Sequence, residues 1–155
     1  MPAAFEVGAM AEVPAFALRA RAAVPLVDLI SVGSNDLTQY TTAAERGNPS
    51  VAALADALDP AVLRLVADVA RAAAAATRVA VCGEIAADPA AAALLIGLGV
   101  RELSMNPRSI PEIKSTIRSL SISRTQHLAA LALQRDSAAS VRALLGDLWD
   151  HDPRP

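Results

Sequence analysis

Four short runs of apolar, β-favouring residues divide the chain, and each is followed by a segment with helical periodicity. The periodicity predicts strands at 5–11, 27–33, 79–82 and 100–105. Strands that alternate with helices favour right-handed βαβ units, in which successive strands lie parallel in one sheet. The sequence therefore predicts an α/β protein built on a parallel sheet.

Helical segments account for most of the remaining chain. They are predicted at 14–23, 37–45, 50–58, 60–77, 89–98, 110–120, 124–134 and 137–149. Asp59 and Pro60 mark one helix start, since aspartate is a good N-cap and proline suits the first helical position. No linker divides the sequence, so we expect one domain over 1–149 and a disordered tail over 150–155.

The composition is apolar chiefly because the chain is rich in alanine, which accounts for 36 of the 155 residues. The sequence contains no uncharged run of about 18 strongly apolar residues, so it predicts no membrane span. The N-terminal residues lack the basic and apolar regions of a signal peptide. A single cysteine, Cys82, fits a reducing cytoplasm. With 14 basic against 16 acidic side chains and few aromatics, neither a nucleic-acid nor a membrane partner is expected. We therefore expect a cytoplasmic protein.

Polar side chains gather where the predicted strands end. In chain order they are Glu12, Asn35 with Asp36, Cys82, and Ser104. The carboxyl ends of parallel strands lie at one edge of a sheet, and ligands bind outside that edge. We therefore expect these residues to be neighbours in space.

Glu12 and Asp36 are the candidates for a metal site. Hard carboxylate oxygens suit Mg²⁺, which usually binds one or two protein carboxylates and completes its shell with water and substrate oxygens. The alternative is structural, with Asp36 as the N-cap of the next helix and Glu12 as the partner of a helix dipole. Spacing alone leaves both interpretations open.

Arg46 and Cys82 each admit a chemical and a structural interpretation. Arg46 suits bidentate phosphate binding, although arginine is also common near a helix C-terminus. Cys82 could donate a proton or act as a nucleophile at a site entrance, although a buried cysteine is usually inert. Glu84 is either a solvated turn residue or a partner of that site. Neither His127 nor His151 lies in a recognisable phosphorylation or metal motif.

Four short motifs in a fixed order carry a family resemblance: GAMAEVP at 8–14, SVGSNDLTQYT at 31–41, RGN at 46–48 and CGE at 82–84. Together they resemble the C-terminal, phosphoenolpyruvate-binding barrel of Enzyme I, the phosphoenolpyruvate–protein phosphotransferase of the sugar phosphotransferase system. The similarity runs over residues 5–145. It implies the C-terminal half of a (β/α)8 TIM-type barrel, strands five to eight, followed by C-terminal helices. The spacing of the motifs resembles this branch more than pyruvate phosphate dikinase or phosphoenolpyruvate synthase.

The resemblance also implies a role for each candidate residue. Glu12 and Asp36 match the carboxylates that hold Mg²⁺, for which Mn²⁺ substitutes. Asn35 matches the residue that contacts the substrate phosphate, and Arg46 matches an arginine that holds it. Cys82 matches the acid that protonates the enolate carbon after the phosphoryl group leaves.

Departures from the family pattern lead us to expect an incomplete site. A complete barrel of this type takes about 250 residues. The arginines of its earlier strands, and the domain with the phosphorylated histidine, have no counterpart in this sequence. Ser34 and Glu45 stand where threonine and aspartate are more usual, and both changes are mild. Half a barrel leaves two strand edges unpaired, so we expect self-association, or poor folding of the isolated chain.

By resemblance, the expected function is phosphoryl transfer from phosphoenolpyruvate to a protein histidine, the first step of sugar uptake by this system. The expected partner is the small phosphocarrier protein, and turnover by this chain alone is not expected. One alternative is a non-catalytic remnant or split-enzyme subunit that binds a partner chain. Another is a magnesium-dependent pyruvate-enolate aldolase or lyase, although Arg46 and the motif at 82–84 disfavour that class.

Overall fold

The computed structural model describes residues 5–74 and 76–150, with side chains described up to residue 146. Within these ranges the strands form one parallel sheet in the order β1-β2-β3-β4, with β1 at Gly8–Ala11, β2 at Leu29–Gly33, β3 at Arg78–Cys82 and β4 at Glu102–Ser104. Each strand is added beside the preceding one, as in a βα-barrel, whereas a doubly wound sheet reverses its strand order. The α/β prediction is confirmed, and the four units form part of a barrel.

Helices connect and follow these strands. In the described part of the chain they are α1 at Pro14–Leu18, α2 at Ala20–Ala23, α3 at Ser34–Thr42, α4 at Pro60–Ala73, α5 at Pro89–Gly97, α6 at Ile110–Ser119, α7 at Ile122–Ala132 and α8 at Ala138–Asp150. Short 3-10 turns lie at Val24–Leu26, Ala52–Leu54 and Glu84–Ala87. Over the described residues, none of the helices has the length and apolar character needed to cross a membrane.

Aspartates cap the two helices that follow the longest loops. The Asp59 carboxylate accepts the N–H of Ala61 at 2.7 Å at the start of α4, as predicted. Asp88 does the same for α5, accepting from Ala90 at 2.9 Å and from Ala91 at 3.2 Å. These bonds satisfy backbone donors that a helix start would otherwise leave unpaired, and they fix where each loop enters its helix.

The two faces of the sheet differ in how far they are covered. One face packs against the helices, and its side chains are at most 2% exposed: Ala11, Ile30, Val32, Val79 and Val81. Because side chains alternate along a strand, the residues between them point to the other face. That face carries Met10, which is 51% exposed, together with the partly exposed Leu29 and Ser31. The inner face is thus uncovered around Met10, although Ala80 on β3 is only 2% exposed. Partial exposure of this face is consistent with a partial barrel.

One predicted helix is absent. Segment 50–58 forms only the 3-10 turn at Ala52–Leu54, so the prediction of an α-helix there is wrong. Asp56 Oδ1 accepts the N–H of Leu58 at 2.9 Å, a local bond that competes with helical pairing. Asp59 precedes a proline, which disfavours the helical conformation at that residue.

Other boundaries differ from the predicted ones for local reasons. Helix α3 begins at Ser34, three residues before the predicted start, and ends where Ala43 adopts a left-handed φ of 55°. Helix α4 ends four residues early, beside Ala74 with a φ of 44°. The first predicted helix is divided into α1 and α2 at Arg19. Residues 151–155, which hold most of the predicted tail, lie outside the described residues.

The register of the sheet aligns the ends of its strands. Gly33 pairs with Cys82, and Cys82 pairs with Ser104 on its other side. The pairing of β1 with β2 ends at Ala11, so Glu12 follows level with Gly33. The polar residues picked out by sequence therefore lie along one edge of the sheet.

Candidate active site

Glu12 lies across the end of the neighbouring strand. A Cβ atom at Gly33 would stand 2.8 Å from Glu12 Cγ and 3.1 Å from Glu12 Oε1, so only glycine leaves room for this side chain. The Glu12 carboxylate is half-buried and makes no hydrogen bond or ion pair with another residue of the described chain. A partly desolvated carboxylate without a protein partner is a suitable ligand for a cation.

Asp36 lies in the first turn of α3, directly after β2. Its Oδ1 is 3.3 Å from Arg46 Nη2, and the two side chains are 41% and 56% exposed. A pair this exposed is worth at most about 1 kcal/mol, so water or a ligand can replace either partner. The backbone N–H of Arg46 also donates to Gln39 Oε1 at 3.2 Å, which ties the loop after α3 to that helix.

The structure does not place the two carboxylates where their structural alternatives expected them. Gly33 occupies the N-cap position of α3, so Asp36 is not its cap. Helix α1 begins at Pro14 after the N-cap Val13, so Glu12 precedes the first turn in which the alternative placed it.

The thiol of Cys82 is held at the end of β3. Its Sγ donates to the Val32 carbonyl at 3.5 Å, and the Ser31 hydroxyl donates to Sγ at 3.8 Å. Both are long, weak hydrogen bonds, and the side chain is half-buried. The thiol is therefore oriented by its neighbours while remaining within reach of a ligand.

The turn after Cys82 is fitted against the start of α3. The Ser34 hydroxyl donates to the Cys82 carbonyl at 2.6 Å. Gly83 has a φ of 105°, and a Cβ atom there would stand 2.3 Å from Ser34 Oγ and 3.1 Å from Asn35 Oδ1. Glycine at 83 therefore permits the close approach that brings the amide of Asn35 toward Cys82.

A cavity of about 510 Å³ opens at this point between the ends of β3 and β4. Its lining residues are Asn35, Cys82, Gly83, Glu84, Ala87, Ser104, Met105 and Asn106. A second cavity of about 550 Å³ shares Asn35 and Glu84 and extends past Arg46 to Arg142 on α8. Asn35 therefore borders both spaces, with the thiol on one side and two guanidinium groups on the other.

Sequence reasoning missed three residues of this region. Ser31 contacts the Cys82 sulfur, and an ion pair between Asp56 and Arg142 borders the larger cavity. Asp56 and Arg142 lie 86 positions apart, so no local spacing links them. The alternation of β2 could have indicated Ser31, since it places this hydroxyl on the same face as the thiol.

The donor set fits a magnesium ion held by few protein ligands. Within the described residues no group of three or more His, Cys, Asp or Glu side chains could hold a metal. Mg²⁺ does not require such a group, since one or two carboxylates with substrate and water oxygens suffice. The Glu12 carboxylate, which has no described protein partner, meets that requirement. Asp36 offers a second carboxylate, which is held only by its weak ion pair with Arg46.

The fold and the site define a segment of a parallel βα-barrel whose polar residues meet at the carboxyl ends of the strands. Residues 1–122 match the family model described as PEP-utilising enzyme, PEP-binding domain, where PEP is phosphoenolpyruvate. The chain therefore belongs to the family of PEP-utilising enzymes, and the resemblance found in its motifs is confirmed.

Curated relatives agree with this assignment. A protein of Xanthomonas campestris pv. campestris named multiphosphoryl transfer protein is 49% identical over 139 residues, which are 89% of this chain and 17% of the relative. A phosphoenolpyruvate-protein phosphotransferase of Streptomyces coelicolor is 46% identical over 87% of this chain and 24% of its own length. The phosphoenolpyruvate-dependent phosphotransferase system protein of Escherichia coli is 43% identical over 88% and 18%. The chain thus spans about a sixth to a quarter of the curated relatives it matches.

Proposed function

We propose that this chain supplies one side of a PEP site for phosphoryl transfer from PEP to a protein histidine, the first step of sugar uptake by the phosphotransferase system. The observation that carries the proposal is the cavity shared by Asn35 and Cys82, beside the pair formed by Asp36 and Arg46. The names of the relatives support the same reaction class. The partner proposed on the same basis is the small phosphocarrier protein, in the cytoplasm.

Each side chain has a defined task in this proposal. The Arg46 guanidinium binds the phosphate oxygens and offsets their charge while the phosphoryl group moves, and the Asn35 amide helps to orient them. When the bond between phosphorus and the enol oxygen breaks, the phosphoryl group passes to a histidine nitrogen and an enolate remains. The Cys82 thiol then gives its proton to the enolate carbon, which completes pyruvate and leaves a thiolate.

Glu12 and Asp36 would hold the cation, Mg²⁺ or Mn²⁺, at the strand ends. A divalent cation bound there would act as a Lewis acid that stabilises the enolate charge. If Asp36 served as a ligand, its charge would be shared between the cation and Arg46, which would weaken their exposed pair and leave the guanidinium freer to bind the phosphate. Cation and PEP are therefore expected to strengthen each other's binding.

A titration of the purified chain with Mn²⁺, with and without PEP, tests this proposal. We expect PEP to tighten Mn²⁺ binding about tenfold or more, and we expect Asp36→Asn to abolish that effect. Asp68→Asn is the matched control, because Asp68 pairs with Arg71 on α4, away from the strand ends. Mn²⁺ binding that changes neither with PEP nor with the Asp36→Asn substitution would refute the proposed site.

A second function, binding of a partner chain by a remnant or a split-enzyme subunit, is favoured by the uncovered inner face of the sheet around Met10. The same titration separates the two functions, because a remnant would bind Mn²⁺ without regard to PEP. We do not extend the proposal to an aldolase or lyase. Those reactions need no thiol beside a phosphate-binding arginine.

A further inference from the structure

The C-terminal helix α8 holds the loop between α3 and α4 through one ion pair. Arg142 donates from Nε to Asp56 Oδ2 at 2.9 Å and from Nη2 to Asp56 Oδ1 at 2.9 Å. The hydrogen bond to Asp56 and the negative charges of Asp56 and Asp88 raise the pKa of Arg142, against a smaller opposing effect of burial. A bidentate pair fixes orientation as well as distance, because two parallel bonds must form together.

This loop, residues 43–59, has little regular structure of its own. It contains the 3-10 turn at Ala52–Leu54 and a few turn hydrogen bonds, and Ala44 and Leu58 near its two ends are buried. The exposed part between them has side-chain anchors near each end. Near its start, the backbone N–H of Arg46 donates to Gln39 on α3. Near its end, Asp56 is held by Arg142.

The two anchors border one cavity. The space of about 550 Å³ is lined by Gln39 and Arg46 on one side and by Asp56 and Arg142 on the other, with Asn35 shared with the thiol cavity. Any change in the position of the loop therefore changes where the Arg46 guanidinium lies relative to the candidate site. Helix α8 lies beyond the residues 1–122 that match the family model.

We propose that Arg142 is a positioning residue, which acts through Asp56 to hold the loop and Arg46 at the edge of the substrate site. The inference rests on the proposed function, since that function gives Arg46 its phosphate. Without the pair, the loop samples arrangements in which Arg46 is misplaced. The apparent affinity for PEP is then the intrinsic affinity multiplied by the fraction of time that Arg46 is correctly placed. Glu12 and Asp36 lie outside this loop, and loosening Arg46 removes only a competitor for Asp36, so Mn²⁺ alone should bind at least as tightly as before.

Limited proteolysis measures how often the loop 43–59 opens, and it requires no ligand. Trypsin cleaves after Arg46, and the rate of native-state cleavage follows the population of open loop. We expect Arg142→Gln to raise the rate of cleavage after Arg46 about fivefold. Asp56→Asn should raise the rate to a similar extent, and combining it with Arg142→Gln should add little, as expected for two residues that act through one pair.

Arg64→Gln is the matched control. Arg64 donates to the Leu133 carbonyl at 2.8 Å and so joins α4 to α7, but it borders neither cavity. Its loss removes one contact between helices without touching the loop. An unchanged cleavage rate in Arg142→Gln, or an equal increase in Arg64→Gln, would overturn the proposal, and circular dichroism verifies that each variant is folded.

The second measurement is the PEP dependence of Mn²⁺ binding. In Arg142→Gln, the PEP concentration that gives half of the effect should rise about twofold, while the affinity for Mn²⁺ alone does not fall. Faster cleavage with an unaltered PEP dependence would refute a positioning role for Arg142. If PEP has no effect even on the unsubstituted chain, the proposed function fails, whereas the cleavage rates still decide whether Arg142 holds the loop.

Discussion

Replacing Gly83 by alanine tests whether the turn after Cys82 positions the candidate site. Gly83 combines a φ of 105° with a ψ of −176°, a conformation that is essentially restricted to glycine. A Cβ atom would also stand 2.3 Å from Ser34 Oγ, closer than real Cβ atoms approach. The substitution therefore imposes both backbone strain and a steric clash on the hydroxyl that binds the Cys82 carbonyl.

The expected loss of stability is the sum of two costs. Backbone strain at such a position costs about 1–3 kcal/mol. Displacing Ser34 breaks its hydrogen bond to the Cys82 carbonyl, which costs about 1 kcal/mol more. We therefore expect Gly83→Ala to lower the free energy of unfolding by about 2–4 kcal/mol.

Gly47→Ala is the matched control for this experiment. Gly47 also has a positive φ, 85°, but a Cβ atom there would meet nothing within 4 Å. Gly47→Ala should lower the free energy of unfolding by only about 1–2 kcal/mol, the penalty of the left-handed conformation. Urea unfolding measures both values. The double variant Ser34→Ala with Gly83→Ala lacks the clash and should be no less stable than Gly83→Ala alone. A Gly83→Ala protein as stable as Gly47→Ala would refute the reasoning.

Three further predictions concern the metal, the sheet and a helix start. Glu12→Gln should weaken Mn²⁺ binding about tenfold and leave the unfolding midpoint unchanged, since Glu12 has no described protein partner. Titration with Mn²⁺ and urea unfolding of the same sample measure the two quantities. A loss of stability that accompanies the weaker binding would contradict the assignment. Sedimentation equilibrium should give a mass above 16.0 kDa, because the inner face around Met10 is uncovered; a monomer that unfolds cooperatively would contradict it. Asp59→Ala should cost about 1 kcal/mol in thermal or urea unfolding, through loss of the bond to Ala61, whereas an unchanged midpoint would show that the cap contributes nothing.

The sequence predicted those parts of the fold that depend on local signals. Asp59 and Pro60 gave the start of α4 because capping is decided by adjacent residues. The convergence of Glu12 and Cys82 on one edge followed from the parallel order of the strands, since that order fixes where all carboxyl ends lie. The motifs implied, by resemblance, chemical roles that spacing could not indicate.

The failures had a local cause at the missing helix and distant causes at the site. Segment 50–58 has helix-forming alanines, but Asp56 accepts the N–H of Leu58, a local bond that competes with helical pairing. Nothing near Asp56 in the sequence points to an arginine 86 positions away. The Ser34 hydroxyl likewise donates to the carbonyl of Cys82, which is 48 positions away, so nearby sequence does not indicate its role.

Among the described residues, β1 and β4 each pair with a strand on one side only, so the outer edge of each retains unpaired backbone donors and acceptors. The candidate site lies at the ends of these same strands. A strand that paired in parallel with a free edge would therefore end beside the ligand site. Ligand binding and assembly of the sheet would then be thermodynamically linked. By mass action, ligand affinity should rise with protein concentration.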